Sequence, residues 1–296
     1  MQLADYLKSR AALINDELER LLPHAGAFPP SVHEAMRYAV FAGGKRLRPI
    51  LVLACAEAVE GEYPAGTTEV ACAVECIHNY SLIHDDLPCM DDDRLRRGKP
   101  TVWVEYGQAG AVLTGDALLT IAFDLIGRAA NRDPAFSDRL LLCSQELAVA
   151  AGTFGMIGGQ VVDIEYEGRE AGKDILHFIH THKTGALLRA SCRLGALVCG
   201  ADDAALNAVT RYGEHLGLAF QITDDLLNVD GAEEKLGKAV GSDAERGKTT
   251  YPALYGVEES REMAVEQVGK AVEYAERLSH PAVLVQLARF VLERDH

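Results

Sequence analysis

Apolar residues recur at intervals of three and four through nearly the whole of this chain, and segments that strictly alternate apolar with polar residues are scarce. The pattern predicts an all-α fold, with helices over about 2–22, 31–42, 49–60, 67–87, 103–111, 114–129, 136–149, 152–167, 173–181, 184–199, 202–228, 252–277 and 281–293. Ser31 and Glu34 read as a capping box after Pro29-Pro30, and Pro281 suits a helix start. Connections are short except at 88–102 and 230–250. Both of these follow an acidic helix end and carry basic residues, which marks them as binding loops. No low-complexity linker interrupts the chain, so one domain over 1–296 is expected.

Composition sharpens this picture in three ways. With 296 residues, 48% of them hydrophobic, the chain can bury a large core and is not a disordered protein. Its net charge of -15, from 29 basic and 44 acidic side chains, repels nucleic acid and anionic membranes at long range. A small polyanion still has a place, because the basic residues bunch at Lys45-Arg46-Arg48 and at Arg94-Arg96-Arg97-Lys99. The seven cysteines are odd in number and lie in apolar surroundings, as in a reduced cytoplasmic protein; Cys72 and Cys76 share a helix face, but no His or Cys cluster completes a zinc site. The N-terminal helix is amphipathic and lacks a signal-peptide core. The most apolar tract, AGAVLTGDALLTIAFDLIGRAA, is interrupted by Asp116 and Asp124, so no stable membrane insertion is expected.

The chemistry concentrates in two acidic clusters. In LIHDDLPCMDDDRLRRGKPT, Asp85 and Asp86 sit at the C-terminal end of a predicted helix, where the helix dipole disfavours negative charge, and Asp91, Asp92 and Asp93 follow just after the turn at Pro88. His78 lies two turns before Asp85 on the same face. In LGLAFQITDDLLNVDG, Gln221, Asp224, Asp225 and Asn228 form one helical stripe among apolar residues. Burying such carboxylates without partners is prohibitive, and two clusters on facing helices would form a strongly electronegative site. Mg²⁺ resolves it, because it accepts carboxylate oxygens while keeping waters and phosphate oxygens. Basic residues supply the complement. Lys45, Arg46 and Arg48 follow the Gly43-Gly44 pair, and Lys183 with Thr184 stands near a helix start, so phosphate groups are the expected ligands. The Walker spacing is absent.

These segments together resemble the trans-isoprenyl diphosphate synthases, and most closely the bacterial farnesyl diphosphate synthases. The resemblance runs through GGKRLRP, ECIHNYSLIHDDLPCMDDDRLRRGKPT, GDAL, GGQVVD, HKTGALLR, GLAFQITDD and LGKAVGSDAERGKTTYPAL, in the family's order. It implies a single polyprenyl synthase domain folded as a helical bundle around a deep central cavity. It further implies a homodimeric dimethylallyl- and geranyltranstransferase that takes isopentenyl, dimethylallyl and geranyl diphosphates and uses Mg²⁺, or Mn²⁺ in its place, as three ions with substrate bound.

By the same resemblance, Asp85, Asp86, Asp91 and Asp224 chelate the metal, with Asp92, Asp225 and Asn228 as further candidates. Arg96, Lys183, Lys238 and Lys248 hold the allylic diphosphate, and Lys45, Arg48, His78 and Arg97 hold isopentenyl diphosphate. Gln221, Gln160, Asp163 and Thr184 are the implied polar lining. The chain departs from the pattern at Asn228, where the second motif usually ends in aspartate.

Product length points to Tyr80, five residues before Asp85 and about 7.5 Å away along the helix axis. In the resembling enzymes an aromatic residue here, with the insertion seen as Pro88-Cys89, accompanies a farnesyl product. A geranylgeranyl diphosphate synthase, a terpene cyclase and a non-catalytic regulatory subunit are the alternatives, and the Lys45, Arg48 and His78 set argues against the cyclase.

Overall fold

The computed structural model describes residues 2–169, 171–230 and 249–293. Helices dominate these residues, as the spacing predicts, and they group into two compact units: Met1–Leu53 with Pro64–Ser144, and Ala54–Tyr63 with Gln145–His296.

In the first unit, α1 (Leu3–Leu21), α2 (Pro30–Val40), the opening turns of α3 (Leu47–Glu60), α4 (Thr67–Asp85), α5 (Val102–Arg132) and the start of α6 (Ser137–Ala151) surround a core centred on α4. Val70 to Ile77 are buried without interruption, because α4 is apolar on nearly every face and packs along α5, with α1 and α2 also against it. That run contains one acidic residue, Glu75, and it is buried too. Leu95–Arg96 (β1) and Lys99–Pro100 (β2) form a minimal antiparallel hairpin.

The second unit contains the end of α3, the end of α6, α7 (Met156–Glu165), α8 (Lys173–Ile179), a π-helical turn at His180–Thr184, α9 (Gly185–Cys199), α10 (Asp203–Asp230), α11 (Tyr251–Tyr255), α12 (Val257–Ala275) and α13 (Ala282–Phe290). Here α10 is the central element, packed on α9 and α12. Tyr212 on α10 is fully buried and donates its hydroxyl hydrogen to the Leu284 carbonyl, 2.9 Å away.

Several elements differ from the periodic reading for local reasons. The stretches 103–111 and 114–129 are one helix, α5, kinked at Gly107, whose φ is 77°. The stretch 252–277 is broken at Gly256 into α11 and α12. The capping box at Ser31 does not form: α2 begins at Pro30, its N-cap is Pro29, and no side chain caps it, because Ser31 already lies inside the first turn. Six cysteines are buried thiols and Cys89 is exposed, with no disulfide among the described residues. By length and composition alone, α5 holds a stretch apolar enough to cross a bilayer, but 44% of that window is buried in the protein. A second apolar stretch, Pro134–Glu165, is divided between α6 and α7.

Candidate active site

The first acidic cluster is built by the end of α4 and the hairpin after it. The chain leaves α4 in a tight turn in which the Asp91 amide donates to the Asp85 carbonyl at 2.8 Å, setting these two residues side by side, both half-buried. Asp92 is exposed and takes a left-handed φ of 51°. Asp86 behaves differently. It is buried, and Arg96 donates to it from Nε, at 2.8 and 2.9 Å to the two oxygens, and from Nη2 at 2.5 Å. Arg97 and Gly98 both have positive φ, the type I′ geometry that closes a two-residue hairpin, and this places Arg96 back beneath the helix end. Burial opposes the charge on Arg96, yet the hydrogen bond and charge of Asp86, with Asp93 and Asp85 beyond, leave its pKa raised. The carbonyl of Asp93 accepts from Thr101 and Trp103, which anchors the hairpin to the start of α5.

Beside it lies a cationic group. Arg97 donates from Nη1 to the Gly43 carbonyl; a Cβ on Gly44 would stand 2.7 Å from that nitrogen and push the guanidinium aside, and the φ of 124° at Gly44 favours glycine there. Arg48 Nη1 is 3.3 Å from His78 Nε2. Burial, followed by the charges of Arg48, Arg97, Arg96 and Arg46, pushes the His78 pKa well below its ordinary value, so the ring is neutral at pH 7. Lys45 is exposed at the tip of the same loop. Sequence reasoning brings Lys45, Arg48, His78 and Arg97 to one place, and the structure sets Arg48 on His78 and Arg97 on the glycine loop.

Tyr80 is 5% exposed, meets His84 edge-on with centroids 5.7 Å apart, and has no hydrogen-bond partner for its hydroxyl among the described residues. Burial and the Asp85 charge raise its pKa to about 12.

The second cluster belongs to the other unit. Lys183 Nζ is 2.6 Å from Asp163 Oδ2, which ties the π-turn to α7. The two backbones approach so closely that a Cβ on Gly159 would overlap the Lys183 amide nitrogen. Gln160 stands three residues before Asp163 on α7, and Thr184 ends the π-turn. On α10, Asp224 is half-buried, as are Gln221 and Asn228. Asp225 is 4% exposed and turned into the protein: it accepts from the Tyr251 amide at 2.9 Å and from Gln221 Nε2 at 3.2 Å, with His180 Nε2 at 3.8 Å. Beneath it, Leu176, Ile222, Leu226, Tyr251 and Ala264 make a small core. Burial lowers the His180 pKa to about 3, with Asp163 acting the other way, so His180 is a neutral neighbour of Asp225 and not an ion-pair partner. Lys238 and Lys248 lie outside the described residues.

Sequence reasoning groups Arg46 with Lys45 and Arg48 as a phosphate-binding cation, whereas the structure buries it against Glu75; that reasoning missed Glu75, His180 and Tyr251. Only Glu75 carried a readable mark, as a lone carboxylate in the middle of an apolar helix.

A family model described as polyprenyl synthetase matches residues 29–285. The chain belongs to that family. It is 43% identical over 297 residues to the farnesyl diphosphate synthase of Geobacillus stearothermophilus, covering 100% of this chain and 99% of the relative. It is 42% identical over 298 residues to the geranylgeranyl diphosphate synthase of Cyanophora paradoxa, covering 99% and 97%. Among solved structures, an apo FPP/GFPP synthase from Zymomonas mobilis matches with a TM-score of 0.85 at 34% identity, over 98% of each chain. The fold is therefore the all-α isoprenoid-synthase fold, and this member of the polyprenyl synthetase family is a short-chain prenyl diphosphate synthase, a transferase of isoprenoid biosynthesis.

Among the described residues, no three His, Cys, Asp or Glu side chains converge into a cage that would hold a metal alone. The donors nonetheless suit Mg²⁺. Asp85 and Asp91 are half-buried carboxylates on residues joined by a backbone hydrogen bond, and this ion is typically held by one or two carboxylates plus waters and substrate phosphate.

Proposed function

We propose that the protein is a (2E,6E)-farnesyl diphosphate synthase, which condenses isopentenyl diphosphate head-to-tail with dimethylallyl and then geranyl diphosphate and releases diphosphate. The observation that carries the fifteen-carbon product is Tyr80: a bulky ring buried on α4, one and a half turns below Asp85. Similarity to a geranylgeranyl diphosphate synthase makes a twenty-carbon product the second reading.

Asp85, Asp91 and Asp224 would hold Mg²⁺, which supplies positive charge against the departing diphosphate. Asp86 fixes Arg96 in place to bind the allylic diphosphate, and Lys183, Lys238 and Lys248 join it. Asp225 holds the Tyr251 backbone against α10 and so steadies Asp224 beside it. Lys45, Arg48, His78 and Arg97 bind the diphosphate of isopentenyl diphosphate. Gln160, Asp163, Thr184 and Gln221 provide polar side chains for the reacting groups. The allylic C–O bond breaks with both electrons leaving on the diphosphate, and fixed cations stabilise that charge better than water would. The double bond of isopentenyl diphosphate then forms the new C–C bond. Loss of a proton to the released diphosphate restores an alkene.

The reduced thiols support a cytoplasmic location. Exposed apolar residues on α5 and α6, among them Leu113, Leu141 and Leu142, support a homodimer. The product assignment is tested by Tyr80→Ala, whose main product from dimethylallyl and isopentenyl diphosphates is expected to have twenty carbons or more. An unchanged product distribution would remove Tyr80 from this role.

A further inference from the structure

We infer that Arg46 is a positioning residue for isopentenyl diphosphate binding: a buried clamp that holds Lys45, Arg48 and His78 in register. This rests on the proposed assignment of those three residues to that substrate.

Arg46 is 4% exposed and takes a left-handed φ of 54°, a conformation that a residue with a Cβ adopts only when its surroundings impose it. Its guanidinium reaches three separate helices. Nε donates to Asn15 Oδ1 on α1 at 2.9 Å, Nη2 to the Val40 carbonyl ending α2 at 2.6 Å, and Nη1 to Glu75 Oε1 on α4 at 2.7 Å. The same Glu75 oxygen accepts from Asn79 Nδ2 at 3.1 Å, and that amide also donates to the Glu75 carbonyl at 2.8 Å. Glu75 and Asn79 are 2% and 3% exposed, so the centre of the network is buried and only Asn15, half-buried, reaches toward the surface.

Its place in the chain gives it a function beyond packing. Arg46 lies between Lys45 and Arg48, and Glu75 and Asn79 bracket His78 on α4. The left-handed turn sends the Arg46 side chain inward while Lys45 next to it stays exposed. The Arg46–Glu75 pair therefore ties the glycine loop to the stretch of α4 that carries His78, and the 3.3 Å contact between Arg48 and His78 is the outer consequence of that tie. Lysine at 46 would keep the charge but lack the planar fork that satisfies three acceptors at once. The Asp86–Arg96 pair is a separate set of contacts, so the allylic side does not depend on the clamp.

The experiment compares steady-state constants for Arg46→Lys and Glu75→Gln with those of the full-length wild type, varying each substrate in turn. The KM for isopentenyl diphosphate is expected to rise about tenfold or more, while the KM for dimethylallyl diphosphate stays within about twofold. Should either variant fail to fold, Asn15→Ala removes a single bond at a half-buried position and is expected to raise the first constant about two- to threefold, again without moving the second. Folded variants in which both constants rise by the same factor, or in which neither rises, overturn the inference while leaving the proposed function intact. A wild type that condenses no isopentenyl diphosphate removes the proposed function, and this inference with it.

Discussion

Two aspartates that are neighbours in sequence have different fates here: Asp85 stays at a half-open helix end beside Asp91, while Asp86 is spent on Arg96. The same division recurs at Asp224 and Asp225. Replacing Asp85 or Asp224 with Ala should lower kcat/KM by on the order of 100-fold or more while leaving the melting temperature nearly unchanged, because in their proposed roles these half-buried groups act on developing charge and not on packing. Retained turnover in a folded variant would contradict their roles. Asn228 offers an amide oxygen where the family pattern has a carboxylate, so Asn228→Asp should lower the Mg²⁺ concentration needed for half-maximal rate in a metal titration. His180 gives a pH dependence. Its pKa falls from 6.5 to about 3 on folding, so between those values the unfolded chain binds a proton that the folded chain refuses. The stability that a neutral His180 contributes is present above about pH 6.5 and is lost as the pH falls toward 3, so His180→Gln should flatten the slope of the denaturation midpoint against pH below 6.5.

At the scale of elements, the close approach of α7 to the π-turn sets the position of Lys183. Gly159→Ala places a methyl group against the Lys183 backbone and should cost about 1–3 kcal/mol in chemical denaturation, with a loss of turnover as Lys183 shifts. Long helices were legible in the sequence: α4, apolar on nearly every face, and α10, apolar at helical spacing, both stand where the sequence puts them, with the acidic residues at their ends. Others left no periodic trace. The strands of the 95–100 hairpin are two residues each, and half of its residues are charged, so nothing alternates. The π-turn at 180–184 passes unnoticed in a pattern read at 3.6 residues per turn. Arg46 was legible as a cation, but its burial depends on Asn15, Val40 and Glu75, partners that only the tertiary fold brings to it. The pairing of Asp86 with Arg96 likewise needs the hairpin, which returns the chain to the helix it has just left.

For the whole molecule, an acidic chain of net charge -15 gathers Lys45, Arg48, Arg96 and Arg97 within a single unit, a local cationic patch suited to small diphosphates and shielded by its own acidic surroundings from larger polyanions. Apolar side chains are left exposed on α5, α6 and α7 and in the turn between the last two, with Leu141 on α6 70% and Phe154 in that turn 83% exposed. Covering them by self-association predicts a particle of twice 32.0 kDa in sedimentation, and Leu141→Glu should shift it toward the monomer. The proposed function is that of a diphosphate-binding, Mg²⁺-dependent synthase whose chain growth stops at the Tyr80 ring. Its most direct test is the mass of the products formed by purified wild-type protein from dimethylallyl and isopentenyl diphosphates with Mg²⁺. The account predicts a fifteen-carbon diphosphate as the main product and none when the metal is chelated, whereas a main product of twenty carbons, or turnover without metal, would contradict it.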